Sequence, residues 1–205
     1  GELSKVGKFP LYKHQIQMLE KGVTNGNPAI VTSGTGSGKT ESFLLPILAQ
    51  IMAEATSWSS PASNYLTSKW WKNDEKATFS FHRQGESTSR PKAVRALLLY
   101  PMNALVEDQM VRLRKMLDSP EAIEMLNKHT QGNRIFFGRY TSASPVAGYR
   151  EHPRKKDAKQ KDRLSRTQKA LRQLAEDQEK ARQYDKQENL SNEDATRYLF
   201  PSVDG

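Results

Sequence analysis

The stretch TSGTGSGKT occupies residues 32–40, after an apolar run at residues 28–32 and before a segment with helical spacing of apolar residues. This order of short strand, glycine-rich turn and helix is the context that a phosphate-binding loop requires. Glycines let successive backbone N–H groups turn toward a triphosphate, and the following helix directs its positive dipole end at the anion. Because a flexible linker would not sit between a buried strand and a buried helix, the stretch predicts a nucleotide site.

Individual residues of this loop have separate predicted roles. Lys39 places a cation on the β- and γ-phosphates, and Thr40 offers a hydroxyl ligand to Mg²⁺, so these two are the predicted catalytic pair. Ser33 stands where the pattern usually has glycine or alanine, and its small side chain should preserve the turn. The predicted nucleotide contacts of the loop are Ser33, Gly34, Thr35, Gly36, Ser37, Gly38, Lys39 and Thr40.

Strand-like and helical patterns alternate around the loop. The apolar runs at residues 28–32, 93–100 and 134–137 are too short for helices and rich in residues that suit strands. Between them, residues 39–55 and 104–117 carry apolar residues at helical spacing. This alternation predicts an α/β fold in which helices flank a parallel sheet.

Two polar segments interrupt the alternation, the first at about residues 56–92 and the second at residues 150–190. The second is almost free of glycine and proline between residues 156 and 188, which predicts a long solvated helix or a helical hairpin. Its first part, residues 150–172, is strongly basic and is called the basic arm below; Lys155 and Lys156 are its predicted nucleic-acid contacts. The alternative is a solvated helix whose charges only maintain solubility. Residues 191–205 form a polar tail.

Composition restricts the class of protein. Lys and Arg number 32 against 23 Asp and Glu in 205 residues, a formal charge of +9, which favours an anionic partner, either nucleic acid or a membrane surface. The chain has no cysteine, which excludes disulfides and thiolate metal sites, and its four histidines lack ligand spacing. No signal-peptide pattern and no apolar run of about 18 residues occurs, so we expect a cytoplasmic protein without a membrane partner. The absence of an initial Met suggests a piece of a longer protein.

Three segments resemble motifs of superfamily 2 DEAD/DEAH-type helicases. Residues 9–15, FPLYKHQ, are similar to the adenine-reading Q motif of that family, although a helix cap with a packed tyrosine would explain them too. Residues 100–109, YPMNALVEDQ, resemble motif Ia, which grips the phosphates of a nucleic-acid strand. Residues 138–142, GRYTS, resemble a strand-end Tyr-Thr-Gly element, with Ser142 in place of the glycine. The contacts implied by this resemblance are Tyr12 and Gln15 for adenine, and Pro101, Met102, Asn103, Arg139, Tyr140 and Thr141 for nucleic acid.

This resemblance implies a P-loop NTPase fold, with residues 1–149 as an incomplete RecA-like domain that binds ATP and Mg²⁺. It implies a nucleic-acid partner, DNA more than RNA, and a parent protein with a second RecA-like domain. Residues 100–109 further resemble large bacterial helicases, including those of Druantia-type anti-phage defence systems.

The Asp-Glu-x-His box and the arginine finger of the family are not found, and the nearest acidic run, residues 191–195, has polar surroundings. We therefore expect an ATP-dependent helicase as the parent and little hydrolysis by this chain alone. The alternatives are a non-helicase P-loop ATPase and a basic nucleic-acid-binding module with a degenerate ATP site.

Overall fold

The structure, a computed structural model, describes residues 10–24, 28–32, 34, 36–61, 69–72, 90, 93–142, 144 and 158–201. The described chain is mainly helical and divides into two compact units, Gly1–Trp58 with Ala93–Leu97 and Ser59–Lys92 with Leu98–Gly205. Its helices are α1 (Lys13–Thr24), α2 (Lys39–Ala55), α3 (Asn103–Leu117), α4 (Pro120–His129) and α5 (Ala158–Gln187), with two short 3-10 turns at Trp70–Lys72 and Thr196–Leu199.

In the first unit, α1 packs against α2 at a close approach of two backbones. A Cβ atom on Gly22 would lie 2.5 Å from the Cβ atom of Pro46, so glycine is required where the helices cross. Gln50 Nε2 donates a hydrogen bond to the Gly22 carbonyl at 2.6 Å. These contacts hold α1 beside the helix that follows the phosphate loop.

The far end of α2 is tied to residues 93–97 by an arginine. Arg95 Nη2 donates to Glu54 at 2.7 Å, and its guanidinium lies 5.6 Å from the ring centre of the buried Trp58. The hydrogen bond from Arg95 to Glu54 raises the pKa of Arg95, although burial acts in the opposite direction. This ion pair and the Trp58 ring fix the run at residues 93–97 within the first unit.

The second unit is built around α3, α4 and α5. Ser119 caps α4 by accepting a hydrogen bond from Ala122 N at 3.2 Å, with Pro120 at the first helical position. A left-handed turn follows α4, where the buried Asn133 donates to the Ser59 carbonyl at 3.0 Å. The sequence contained the start signals of α4, although we did not predict this helix.

Helix α5 lies within the second polar segment and buries an unusually polar face. Among the side chains of α5 that the structure describes, the buried ones are Thr167, Gln178, Ala181 and Asp185. Near its middle, Arg172 Nε donates to the carbonyl of the buried Trp71 at 2.9 Å. A face with so little apolar surface depends on specific hydrogen bonds for its orientation.

The predicted parallel sheet is not confirmed, since the described residues contain no strand. Several apolar side chains in the strand-like runs are instead exposed, with Ile30 91%, Leu97 78% and Leu99 83% accessible to solvent, while others such as Leu98 are half-buried. A strand needs a neighbour for its backbone N–H and C=O groups, and a parallel sheet is covered on both faces. By contrast, α2 and α3 lie where helical spacing predicted them, and the long pattern before residue 188 forms one helix in its described part.

Candidate nucleotide and nucleic-acid sites

The phosphate loop adopts a conformation that requires glycine at two positions. Gly36 has φ +75° and Gly38 has φ +72°, in the left-handed region that side chains rarely adopt. Gly38 is also the residue at which the chain enters α2, so the loop leads directly into the helix N-terminus. Ser33 and Thr35 lie outside the described residues.

Two polar side chains of the loop converge on one carbonyl. Lys39 Nζ donates to the Gly34 oxygen at 2.6 Å, and Ser37 Oγ donates to the same oxygen at 2.8 Å. Thr40 lies in the first turn of α2, half-buried. A cation, a hydroxyl and a helix N-terminus therefore lie together, which is the donor set that a triphosphate with Mg²⁺ needs.

The sequence lacks the family's acidic metal box, and the described residues contain no cluster of side chains that would replace it. No group of three or more His, Cys, Asp or Glu side chains that could hold a metal ion occurs there. In the acidic run at residues 191–195, Ser191 Oγ donates to Asp194 Oδ2 at 2.6 Å, which makes this run a local turn. The role of Thr40 as a ligand of Mg²⁺ stays a prediction.

Gln15 links the start of α1 to the phosphate loop. Its Nε2 atom donates to the Gly38 carbonyl at 3.0 Å, while its Oε1 atom accepts from Tyr12 N at 2.8 Å. The second bond is half of a capping box, in which the third helical residue reaches back to the N-cap. Gln15 is only 5% exposed. Of the alternative that the sequence allowed, a helix cap with a packed tyrosine, the cap is present, whereas Tyr12 is exposed. The bond from Gln15 to the loop was not predicted.

Tyr12 presents an open aromatic face beside this glutamine. Its ring is 59% exposed and stacks on the imidazole of His14, with ring centres 5.7 Å apart and planes at 11°. An exposed, oriented aromatic ring can cover a flat base. Tyr12, Gln15 and the phosphate loop all belong to the first unit.

The loop before α3 forms an exposed helix N-terminus in the second unit. Pro101, Met102 and Asn103 are exposed, and no side chain of the N-cap residue Met102 satisfies the first backbone N–H groups. Backbone donors at a helix start, together with the helix dipole, suit an anion such as a phosphate.

An ion pair brings the third strand-like run to the same helix. Arg139 forms a salt bridge with Glu107 of α3, and the next residue, Tyr140, is 90% exposed. Thr141 N donates to Ser144 Oγ at 2.9 Å, which turns the chain just after this tyrosine. The residues predicted at the start of α3 and those predicted at residues 139–141 are therefore connected through α3. Lys155 and Lys156 lie outside the described residues.

A cavity of about 310 Å³ within the second unit was not predicted from the sequence. Arg114, Asp118, Phe136 and Tyr198 are among its lining residues. Burial raises the pKa of Asp118, while the charge of Arg114 acts in the opposite direction. The cavity borders the Thr196–Leu199 turn and includes no residue of the phosphate loop.

These features define the class of the chain. The sequence model of the DEAD/DEAH box helicase family matches residues 12–141, more than half of the chain, so the chain belongs to that family. The matched range begins at Tyr12 and ends at Thr141, and it includes the phosphate loop and the residues before α3. Members of this family have a P-loop, RecA-like fold and use ATP with a divalent metal.

The chain is also similar to one particular protein. The chain is 35% identical over 144 residues to the Druantia protein DruE of Escherichia coli (strain UMEA 4076-1), a match that covers 70% of this chain. The same match covers 6% of that much longer protein. No solved structure matches the chain. Within the described part of the chain, no helix is both long and apolar enough to cross a membrane.

Proposed function

We propose that this chain is the ATP-binding part of an ATP-dependent helicase or translocase that acts on nucleic acid, DNA in preference to RNA. The observation that carries the proposal is the glycine-dependent loop held by Gln15, in a chain that belongs to a helicase family. Similarity to the Druantia protein DruE supports a role of the parent in bacterial anti-phage defence. The proposed location of the parent is the cytoplasm. ATP hydrolysis by the full-length parent that increases when DNA is added tests this function.

The proposed architecture is a RecA-like domain at residues 1–149, with an insertion at about residues 56–92, a basic helical insertion at residues 150–190 and a tail at residues 191–205. The position of the phosphate loop, between an apolar run and α2, supports this division. Exposed apolar side chains at Ile30 and Leu99 support a sheet completed by other parts of the parent protein. A second RecA-like domain of the parent would supply the arginine finger.

The proposed ATP site combines contacts to the triphosphate and to the base. Lys39 balances the γ-phosphate charge, Thr40 holds Mg²⁺ together with phosphate oxygens, and the loop backbone donates to the phosphates. Mg²⁺ supplies charge neutralisation when it is bound. Tyr12 covers adenine. The Gln15 amide makes two hydrogen bonds within the chain, and its remaining N–H and oxygen lone pair contact the base. The proposed loop contacts are Ser33, Gly34, Thr35, Gly36, Ser37, Gly38, Lys39 and Thr40.

The proposed nucleic-acid surface is formed by two segments joined through α3. Backbone N–H groups at the start of α3, beside Pro101, Met102 and Asn103, bind a strand phosphate, as the exposed and uncapped helix start favours. Arg139, Tyr140 and Thr141 extend this surface, because Arg139 is held to α3 by Glu107 and the Tyr140 ring is open for stacking on a base.

Replacing Gln15 by alanine in the parent is expected to relax selectivity for ATP over GTP and to weaken ATP binding. The substitution removes the amide that reads adenine, whose edge has the opposite polarity to that of guanine, and it also releases the Gly38 carbonyl. Competition between the two nucleotides measures the selectivity. Gln17→Ala, at an exposed position of the same helix, is the matched control and should change neither quantity. Unchanged discrimination by Gln15→Ala would limit Gln15 to its structural hydrogen bonds with Tyr12 and Gly38.

Reversing the charge of the basic arm is expected to weaken nucleic-acid binding and its dependence on salt. For every phosphate that the arm no longer binds, the slope of log K against log salt should fall by about 0.7 to 0.9. ATP affinity without nucleic acid should stay constant, because the phosphate loop is unchanged. The variant carries glutamate at Lys155, Lys156, Lys159 and Lys161.

A second fourfold variant controls for net charge in this experiment. It carries glutamate at Lys21, Lys128, Lys180 and Lys186, all exposed and all outside the basic arm. Both variants change the net charge equally. If the arm variant binds nucleic acid more weakly than the control, the difference therefore comes from specific contacts of the arm. Equal affinities and slopes in the two variants would make the arm a solvated spacer.

A further inference from the structure

The cavity of about 310 Å³ in the second unit has walls of strongly unequal charge. Of the charged side chains that line it, four are arginines and one, Asp118, is a carboxylate. Guanidinium groups that surround one space, with a single carboxylate among them, create a positive potential that favours an anionic ligand. The arginines come from four separate segments of the unit and are Arg114 of α3, Arg134 of the third strand-like run, Arg182 of α5 and Arg197 of the Thr196–Leu199 turn.

Arg114 is the most deeply buried of these arginines, with 6% of its surface exposed. Its Nη1 atom donates to the carbonyls of Tyr198 at 3.2 Å and Leu199 at 3.4 Å. Its Nε and Nη2 atoms donate no hydrogen bond to the part of the chain that the structure describes. Burial lowers the pKa of Arg114, while the charge of Asp118 acts in the opposite direction. Because burial removes water from a guanidinium that stays charged, an anion in the cavity would stabilise this side chain.

Asp118 does not neutralise the arginines by direct pairing. Within the described ranges its carboxylate forms no ion pair as short as 4.0 Å. Burial raises the pKa of Asp118, and the charges of Arg114, Arg182 and Arg134 act in the opposite direction. Three arginines therefore act on this carboxylate from around the cavity without touching it.

Aromatic rings form another part of the cavity wall. Phe136 is 42% exposed, and the Arg90 guanidinium lies 5.4 Å from its ring centre. Tyr198 is buried, with Arg197 4.7 Å from its ring centre. Guanidinium groups bind phosphate oxygens, and aromatic or guanidinium planes stack on bases. The cavity lies at the lower end of the about 300–1,000 Å³ of small-molecule sites, which favours a ligand of one nucleotide over a longer one.

The turn that carries Arg197 into the cavity wall is fixed at both ends. At its start, Asp185 Oδ1 accepts hydrogen bonds from Thr196 N and Thr196 Oγ1, both at 2.7 Å, and Oδ2 accepts from Arg197 N at 3.1 Å. At its end, Arg114 holds the carbonyls. A wall that is fixed before a ligand arrives loses less free energy of ordering when the ligand binds.

We propose that this cavity is a second nucleotide site, which binds a base joined to a phosphate monoester. A free mononucleotide and the phosphorylated end of a nucleic-acid strand both carry this chemistry. Arg114 and Arg182 bind the phosphate, and the Phe136 ring contacts the base. The cavity contains no residue of the phosphate loop, so this site is distinct from the proposed ATP site and goes beyond the proposed function.

The test measures binding of deoxyadenosine 5′-monophosphate to the full-length parent by calorimetry, in a Gly38→Ala background that weakens nucleotide binding at the phosphate loop. We expect Arg182→Gln to weaken binding about tenfold, the loss typical of a charge-assisted hydrogen bond. Asp118→Asn removes the negative charge of the cavity and should strengthen binding about threefold. Lys180→Gln, at an exposed position of the same helix, is the matched control and should change nothing. Deoxyadenosine, which lacks the phosphate, should bind at least about tenfold more weakly.

Opposite effects of the two cavity substitutions separate binding from destabilisation, because damage to the fold would weaken binding in both. Asp118→Asn also keeps the test open if Arg182→Gln fails to fold. Unchanged affinity in Arg182→Gln, or weaker binding in Asp118→Asn, would overturn the proposal.

Oligonucleotides with and without a 5′-phosphate distinguish the two sources of the ligand. If the site takes a strand end, the phosphorylated oligonucleotide binds the parent more tightly, and Arg182→Gln removes the difference. If both oligonucleotides bind equally while the mononucleotide remains sensitive to Arg182→Gln, the site takes a free nucleotide. Failure of the proposal would leave the motor function standing, because that function is tested by DNA-stimulated ATP hydrolysis at the phosphate loop.

Discussion

Replacing Lys39 by alanine in the full-length parent is expected to lower nucleic-acid-stimulated ATP hydrolysis by about a thousandfold. The lysine supplies the cation that balances charge on the γ-phosphate as it is transferred, and removal of such a group costs several kcal/mol in the transition state. Its ammonium group already lies within the loop, 2.6 Å from the Gly34 oxygen. Steady-state hydrolysis of ATP with saturating DNA measures the effect.

The matched control for this prediction is Lys13→Ala, which removes an exposed lysine from the start of α1. It should leave hydrolysis near the parental rate. The circular dichroism spectrum of Lys39→Ala should match that of the parent, because the substitution removes no apolar contact of the core. A Lys39→Ala protein that hydrolyses ATP nearly as fast as the parent would contradict the assignment of this loop as the ATP site.

Substituting Gly38 by alanine is expected to lower ATP affinity more than tenfold. The residue has φ +72°, which costs an L side chain about 1–2 kcal/mol, and the added Cβ would lie 2.3 Å from Gln15 Nε2. Gln15 must then move, which breaks its hydrogen bond to the Gly38 carbonyl at the entry of α2. The backbone strain and the loss of this bond both disturb the geometry of the loop. A tenfold loss of ATP affinity corresponds to about 1.4 kcal/mol, and we expect the two effects together to cost more than that.

The same loop supplies the control for this substitution. A Cβ on Gly34 would meet no atom within 4 Å, so Gly34→Ala should bind ATP nearly as well as the parent. Fluorescent-nucleotide titration of the two variants measures the difference. Similar affinities for Gly38→Ala and Gly34→Ala would show that the bond between Gln15 and Gly38 does not shape the nucleotide site.

The helices beside the phosphate loop could be predicted because their apolar residues repeat at helical spacing and their start signals are local. Helix α2 begins at Lys39, directly after the glycine-rich loop, and α3 begins near the predicted residue 104. Local signals also existed for α4, where Ser119 and Pro120 mark the helix start. Helical patterns of this kind depend on residues three or four positions apart, so they can be recognised in the sequence without knowledge of the rest of the fold.

The sheet could not be established in the same way. A strand is stabilised by residues far away in the sequence, and the runs at residues 28–32 and 93–100 have no strand partner among the described residues. The side chains of Val94 and Leu99 are 83% exposed, as expected of strand residues without neighbours.

Two long-range hydrogen-bond systems also escaped prediction. Gln15 was predicted to contact adenine, but its bond to Gly38 joins residues 23 positions apart. Asp185 and Arg114 both form hydrogen bonds to the Thr196–Leu199 turn, and the bond from Arg114 joins residues 84 positions apart. Such polar contacts carry no periodic signal, and either partner alone resembles an ordinary solvated charge.

The most direct test of the proposed motor activity is ATP hydrolysis by the full-length parent, measured with and without DNA and compared with the Lys39→Ala variant. We expect DNA to raise the parental rate at least about tenfold, to a value within the range of common enzymes. The rate of Lys39→Ala with DNA should be about a thousandfold lower than that of the parent. A parental rate that does not respond to DNA, or that Lys39→Ala leaves intact, would contradict the assignment of this chain to an ATP-driven nucleic-acid motor.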